Sequence, residues 1–312
     1  RLAATNAQAA WDITSGNGAV VVAVVDSGVR FDHEDLAPRL VAGYDFITDN
    51  LNANDAQSGR DADASDPGDY VSTADRNSAA LAALCGILSA HGSSWHGTQV
   101  AGILAAETNN SRGIAGLAGA TRIQPIRVLG KCGGFDSDII AGMRWAAGLS
   151  VPGVPSNPTP ARVINLSLAG AGTCSAAYRS AIAEIRAAGA LIVAASGNES
   201  EAVNEPANCP GVLAVAGIRH AGTKVGYSSH GVEVGISAPA GNCVNTTGSL
   251  PCLYPILTTA NSGDFNPVAG AGGAIYTDSY NATIGTSFSA PLVAGTAALM
   301  LSVKPDLTPT QI

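Results

Sequence analysis

Residues 18–28 read GAVVVAVVDSG. The run from Ala19 to Val25 is continuously apolar and mostly β-branched, where a strand with one wet face would alternate. It is expected in a sheet covered on both faces, and such sheets are parallel. Four further short runs have this character: TRIQPIRVL (121–129), ARVINLSL (161–168), ALIVAAS (190–196) and GVLAVAGI (211–218). Between them, residues 136–149 and 175–190 carry apolar side chains at three-to-four spacing, with polar starts and a Gly near the end, as helices do. The alternation predicts βαβ units, hence an α/β fold with a doubly wound, mostly parallel sheet flanked by helices. The Pro-rich stretch 150–160 only joins a helix to the next strand, and no repeat of 20 to 50 residues occurs. Residues 1–312 are therefore expected to form a single domain. Ligands of such sheets bind beyond the carboxyl ends of the strands, so the residues just after each strand are the ones to inspect.

The composition bounds the function. With 312 residues, 46% hydrophobic and 13% charged, the chain has enough apolar surface for a large core and too little charge for whole-chain disorder. A net charge of −8 argues against a nucleic-acid partner or an anionic membrane surface. No uninterrupted run of 18 apolar residues occurs, so no spanning helix is expected. Of the 24 acidic residues, 17 are Asp, and eight of these fall from Asp45 to Asp75 against only Arg60 and Arg76. That run suits either a solvated loop or a hard-cation site, since Ca²⁺ takes many short oxygen ligands. Six cysteines, at 85, 132, 174, 209, 243 and 252, form no CxxC pair, which disfavours zinc and dithiol redox chemistry. Their even count suits three disulfides and an oxidising compartment, although six cysteines allow 15 connectivities. The chain starts at Arg1 without a signal peptide and stops in KPDLTPTQI as a helix begins; it reads as a mature, trimmed piece of a longer secreted precursor.

Four positions combine into chemistry. Asp26 follows the first strand, His96 opens HGTQVAGILAA, Asn198 follows ALIVAAS, and Ser287 precedes a long apolar helix in GTSFSAPLVAGTAALMLS. Alone, each reads as a cap or a structural polar residue. Together they supply a hydroxyl nucleophile, a base, a carboxylate to orient the base, and a side-chain donor for an oxyanion. The backbone N–H of Ser287, at a helix start, is a second donor.

The order Asp, His, Ser is that of subtilisin, and VVDSGV, HGTQVAG, AASGN and GTSFSAP resemble the blocks of the subtilase family over nearly the whole chain. The similarity is strongest to secreted subtilases of Gram-negative bacteria, often made with a removable pro-segment and a C-terminal extension. The resemblance implies a secreted, monomeric serine endopeptidase acting on proteins or peptides, with its own pro-segment as chaperone and inhibitor. Ser287 would attack the peptide carbonyl, His96 would shuttle the proton, Asp26 would hold the imidazole and Asn198 would donate to the oxyanion. Ser167, Leu168, Ala169 and Gly170 resemble the edge that pairs with substrate as an added strand, with Ala169 where the family more often has Gly. Gly133, Gly134 and Phe135 resemble the opposite edge. Residues 195–199 would wall the pocket for the residue before the cut, with Ala195 in the wall and Glu199 at its base or rim. Pro206 resembles a position with a cis peptide. Activity would require neutral His96 and rise through about pH 6–7.

On the same resemblance the cysteines become loop staples, Cys85–Cys132, Cys174–Cys209 and Cys243–Cys252. Residues 240–282, rich in Gly, Asn and Thr, read as an inserted surface loop. Calcium is implied as a structural ion at two or more sites. At the first, Asp35 would give a carboxylate, Asn110 a side-chain oxygen, and Glu107, Arg112 and Ile114 backbone carbonyls. At a second, Asp49, Asp61, Asp63 and Asp69 would contribute.

Other classes fit less well. A catalytically dead relative would need a lost triad member, and none is lost. An α/β-hydrolase esterase needs a His after the nucleophile, and none follows Ser287. A dinucleotide site would need GAGTCS or GAGG between a strand and a helix at the right spacing, which neither has. The sequons at Asn109, Asn198, Asn245 and Asn281 are taken as chance, since Asn198 is needed bare.

Overall fold

Val21–Asp26 forms β1, and all six residues are buried. In this computed structural model, which describes residues 5–86, 88–242, 254–279 and 283–312, β1 lies at the heart of a seven-stranded sheet. The elements in chain order are α1 (Ala7–Trp11), β1, β2 (Tyr44–Asp45), α2 (Asn50–Ala53), α3 (Thr73–Arg76), α4 (Ala79–Cys85), α5 (His96–Ala105), β3 (Arg122–Arg127) and α6 (Asp136–Ala146). They continue with β4 (Val163–Leu166), α7 (Ala176–Ala187), β5 (Leu191–Ala195), β6 (Val212–Ile218), β7 (Val234–Pro239), β8 (Thr258–Asn261), β9 (Ala274–Thr277) and α8 (Thr286–Val303). The order is β2-β3-β1-β4-β5-β6-β7 and every pairing is parallel, so the carboxyl ends of all seven strands share one edge.

The unbroken apolar run now has its reason. Val21, Ala23 and Val25 face a layer with Trp145 of α6 and Tyr178 and Ile182 of α7. Val20, Val22 and Val24 face the opposite layer, with Val100 and Leu104 of α5 and Ala290, Ala294 and Leu301 of α8. Alternate side chains leave a strand on opposite faces, so a strand sandwiched by helices must be apolar at every position.

Two expectations change. Despite its Gly, Ser and Thr interruptions, α8 is long and apolar enough by length and composition to cross a bilayer. Most of it is buried inside the fold against α5 and the sheet, which accounts for its apolarity. The segment read as a surface insertion, 240–282, is partly structural. Within its described part β8 and β9 pair antiparallel, and β8 is wholly buried. Thr258 and Thr259 donate to the carbonyls of Gln99 (2.6 Å) and Thr98 (2.7 Å) on α5. The hydroxyls that made this strand look like loop sequence are what dock it.

Disulfides join Cys85 to Cys132 and Cys174 to Cys209, with Cα–Cα separations of 5.2 and 5.0 Å. The Cys243–Cys252 pairing lies outside the described residues, as do the sequons at Asn245 and Asn281. The Cys174–Cys209 bridge closes a 35-residue separation, so loop-closure entropy predicts a loss of about 4 kcal/mol when both are replaced by Ser. Urea titration of the double variant against the parent checks this.

Candidate active site

Asp26 ends β1 and is fully buried. Its Oδ1 accepts from the Ser27 N–H and from His96 Nδ1, both at 2.8 Å. A carboxylate can only accept from Nδ1–H, so Nε2 of a neutral His96 is left as the acceptor facing the cleft. His96 is the first residue of α5, and Trp95 before it takes a left-handed backbone (φ 53°), uncommon for a bulky residue. The Trp95 indole donates to the Gly263 carbonyl (2.8 Å), which holds this entry to the helix.

Two further carboxylates stand behind the pair. Ser27 Oγ donates to Asp66 (2.8 Å) and accepts from the Gly97 N–H (3.0 Å), tying β1 to the first turn of α5. Burial pushes Asp66 up to about 7, helped by the charge of Asp69. Asp69 accepts from both the N–H and the hydroxyl of Ser94 (2.7 Å each), and Ser94 Oγ accepts from the His96 N–H (3.2 Å). Burial works to lower the His96 pKa, yet Asp26, by charge and hydrogen bond, and then Asp69 and Asp66 outweigh it. The result lies above the ordinary imidazole value. The expected acid limb at pH 6–7 therefore moves upward.

Ser287 is the second residue of α8. Its Oγ donates to the Ser167 carbonyl at 3.1 Å. Pro291, inside the helix four residues on, has no N–H for the Ser287 carbonyl. Ser167 Oγ supplies that bond instead (2.7 Å) and in turn accepts from Asn165 (2.9 Å). The nucleophile candidate and the strand edge after β4 are thus bonded in both directions.

Asn198 follows β5. Its Oδ1 accepts from the N–H (2.9 Å) and hydroxyl (3.1 Å) of Thr286 at the start of α8. With the oxygen so occupied, the amide Nδ2 is free to donate beside Ser287. Gly285, beside both groups, turns the chain into α8 at φ 148°, a backbone that L side chains rarely adopt. The Ser287 N–H, in the first turn of α8, has no partner within the helix.

The two edges flank this group. Ser167, Leu168, Ala169 and Gly170 leave β4, and Gly170 bridges antiparallel to Glu205. Gly133, Gly134 and Phe135 lead into α6. Buried Asn52, which the sequence gave no reason to single out, holds that side by accepting from the Cys132 N–H (2.7 Å) and donating to the Gly133 carbonyl (3.2 Å). Ala195 ends β5 and is buried. Glu199 is turned back: its Oε2 accepts from the Asn198 N–H (2.8 Å), Asn204 (2.7 Å) and Ser229 (3.3 Å). The Glu205–Pro206 peptide is cis.

Asp35 is fully buried and meets the loop after α5: its carboxylate accepts from Asn110 (2.5 Å) and the Ile114 N–H (3.2 Å). The Asn110 oxygen accepts from the Arg112 N–H (3.0 Å), and the Arg112 side chain pairs outward with Glu34. Glu107 sends its carboxylate to Arg39 (2.5 Å). Among the described residues no hydrogen bond reaches the carbonyl oxygens of Glu107, Arg112 or Ile114.

The second carboxylate set is spread over several contacts. Asp49 caps α2, Asp63 accepts from the Ser65 N–H and donates its own N–H to Asp61 (2.6 Å), and Asp69 holds Ser94. Among the described residues the acidic group close enough to share an ion is Asp45, Asp55 and Asp61. Arg127, fully buried, pairs with Asp45 and with Asp55 (2.5 Å) and does not reach Asp61, so three clustered carboxylates share one guanidinium that contacts two of them. Burial pushes Asp45 up to about 7 against the pull of Arg127, and one oxygen of Asp61 is buried without a partner.

A family model described as the subtilase family matches residues 17–312. The chain is 43% identical over 314 residues to an extracellular protease of Xanthomonas campestris pv. campestris, covering 99% of this chain and 48% of that protein. It is 39% identical over 313 residues to an extracellular basic protease of Dichelobacter nodosus, covering 97% and 47%. The chain thus spans just under half the length of these relatives. A solved protease structure from Pseudoalteromonas arctica PAMC 21717 superposes with a TM-score of 0.89 at 43% identity, covering 99% of this chain and 85% of that one.

Proposed function

This chain belongs to the subtilase family, and from that membership we propose that it is a secreted serine endopeptidase working through an acyl-enzyme. Ser287 Oγ turns about its Cα–Cβ bond from the Ser167 carbonyl toward His96 Nε2, gives up its proton there, and attacks the peptide carbonyl. Asp26 holds His96 in the tautomer that can accept and stabilises the imidazolium that forms. His96 returns the proton to the leaving amine, and water then repeats the cycle on the acyl ester. Asn198 Nδ2 and the Ser287 N–H stabilise the tetrahedral oxyanion. The observation that carries this reading is the 2.8 Å bond between His96 and Asp26, with Asn198 anchored by its oxygen and free at its nitrogen. A fluorophosphonate reagent should label Ser287 and stop cleavage of casein; an unlabelled, correctly folded chain would refute the reading.

Replacing Asn198 by Ala should lower kcat by about 10²–10³, the size found for this donor in subtilisin, with little change in KM. Steady-state kinetics on one peptide checks the split.

Secretion is supported by the extracellular relatives and by the disulfides. Residues 1–312 act as one catalytic domain and a monomer, with protein or peptide substrates and a pro-segment as folding aid and inhibitor.

Subtilases generally bind calcium, and the residues around Asp35 fit such an ion. A fully buried carboxylate faces a loop of free carbonyls, and Asn110, which now turns its amide nitrogen to Asp35, would complete an oxygen set by flipping that amide. Bound there, the ion would pin the loop after α5 and take no part in the chemistry. A chelator should lower the melting temperature by on the order of 10 °C when the ion had been present far above its Kd. Scanning calorimetry with and without added Ca²⁺ checks this.

A further inference from the structure

Beyond the nucleophile, a cavity of about 120 Å³ opens between the two substrate edges. Its walls include Leu129, Ile139 and Leu168, and its polar groups are Asp136, Tyr178 and Glu205. Tyr178 is buried and its hydroxyl donates to Asp136 Oδ1 at 3.3 Å. Glu205 Oε1 accepts from the Ser175 N–H (3.1 Å), and its backbone bridges Gly170, so the carboxylate is fixed beside the edge. Neither Asp136 nor Glu205 has an ion-pair partner among the described residues. Burial raises the Tyr178 pKa first, and the charges of Asp136 and Glu205 raise it further, which reflects the same negative field.

We infer that this cavity makes the enzyme select a basic side chain, Arg or Lys, on the acyl side of the cut. The inference rests on the endopeptidase reading above. Apolar walls beneath unpaired carboxylates suit a long aliphatic stem with a cationic head. The cavity is lined by Leu168 to Ala171, one to four residues past Ser167, whose carbonyl meets Ser287, so a peptide paired along that edge lays the residues two to four before the cut over it. An acidic side chain there meets two like charges.

The test uses internally quenched peptides with Arg, Lys, norleucine or Glu at each of the second, third and fourth positions before the cut. At one position Arg or Lys should exceed norleucine by roughly tenfold in kcat/KM, Glu should be worst, and the ratio should shrink in 0.5 M NaCl. In the Asp136→Asn, Glu205→Gln double variant the ratio should fall to near one, with fluorophosphonate titration counting active sites in both proteins. An enzyme that labels and cleaves, yet has no basic preference at any of the three positions, overturns the inference alone. A preference that survives in the double variant, or is indifferent to salt, overturns it too. A folded chain that neither labels nor cleaves overturns the endopeptidase reading with it.

Discussion

Replacing Ser287 by Ala should cut kcat by on the order of 10⁶, the largest effect expected of any single substitution here. The size is that found when the nucleophile is removed in subtilisin, where residual turnover over water comes from the oxyanion donors and substrate binding. The hydroxyl makes one contact in the resting enzyme, the bond to the Ser167 carbonyl, and Ala is a good helix former. Stability should therefore change by no more than about 1 kcal/mol. The variant should bind peptide substrates with nearly the parent affinity while failing to label with fluorophosphonate. Burst kinetics for activity and calorimetry for stability separate the two effects; a variant retaining a hundredth of parent activity would mean another group is the nucleophile.

Asp26→Asn should lower kcat by on the order of 10⁴, because an amide nitrogen facing Nδ1 favours the tautomer whose Nε2 cannot accept. It should also move the pH profile. Burial alone would lower the His96 pKa, and the Asp26 charge is the largest influence raising it, so its removal should bring the acid limb of kcat/KM down in pH. A limb that stays put would assign the shift to Asp69 and Asp66. The sign for stability follows from linkage. A pKa raised on folding stabilises fully below the unfolded value of about 6.5 and loses that contribution as pH climbs through the folded value. Neutral His96, the working form, is thus the form in which this contribution is spent.

The sheet and the four principal residues were legible because each stands at the end of an element with a strong pattern. Asp26 closes an unbroken apolar run, and Ser287 opens a long apolar helix. What was illegible is what long-range folding assembles. Asn52 sits on a four-residue helix and acts on a loop some eighty positions away. Asp45 and Asp61 meet across an antiparallel backbone bridge, and Asp45 and Asp55 meet on Arg127, buried at the end of β3; nothing in an acidic run tells which members will meet. The β8–β9 pair was missed because its strands are four residues long and its inner face is threonine and not valine. The contact of Asp69 with Ser94 beside His96 was equally hidden, since spacing does not distinguish a carboxylate that binds an ion from one that holds a serine beside a histidine.

β1 carries Asp26 and α8 carries Ser287, and α8 docks across β1, β4, β5, β6 and β7. A ribosome therefore delivers the carboxylate about 260 residues before the hydroxyl. No chain made only as far as α7 contains both halves of the reaction, and contacts of such sequence separation form slowly. On the proposed reading, the site stays inert until α8 inserts, so the connectivity of the fold acts as a timer on its chemistry.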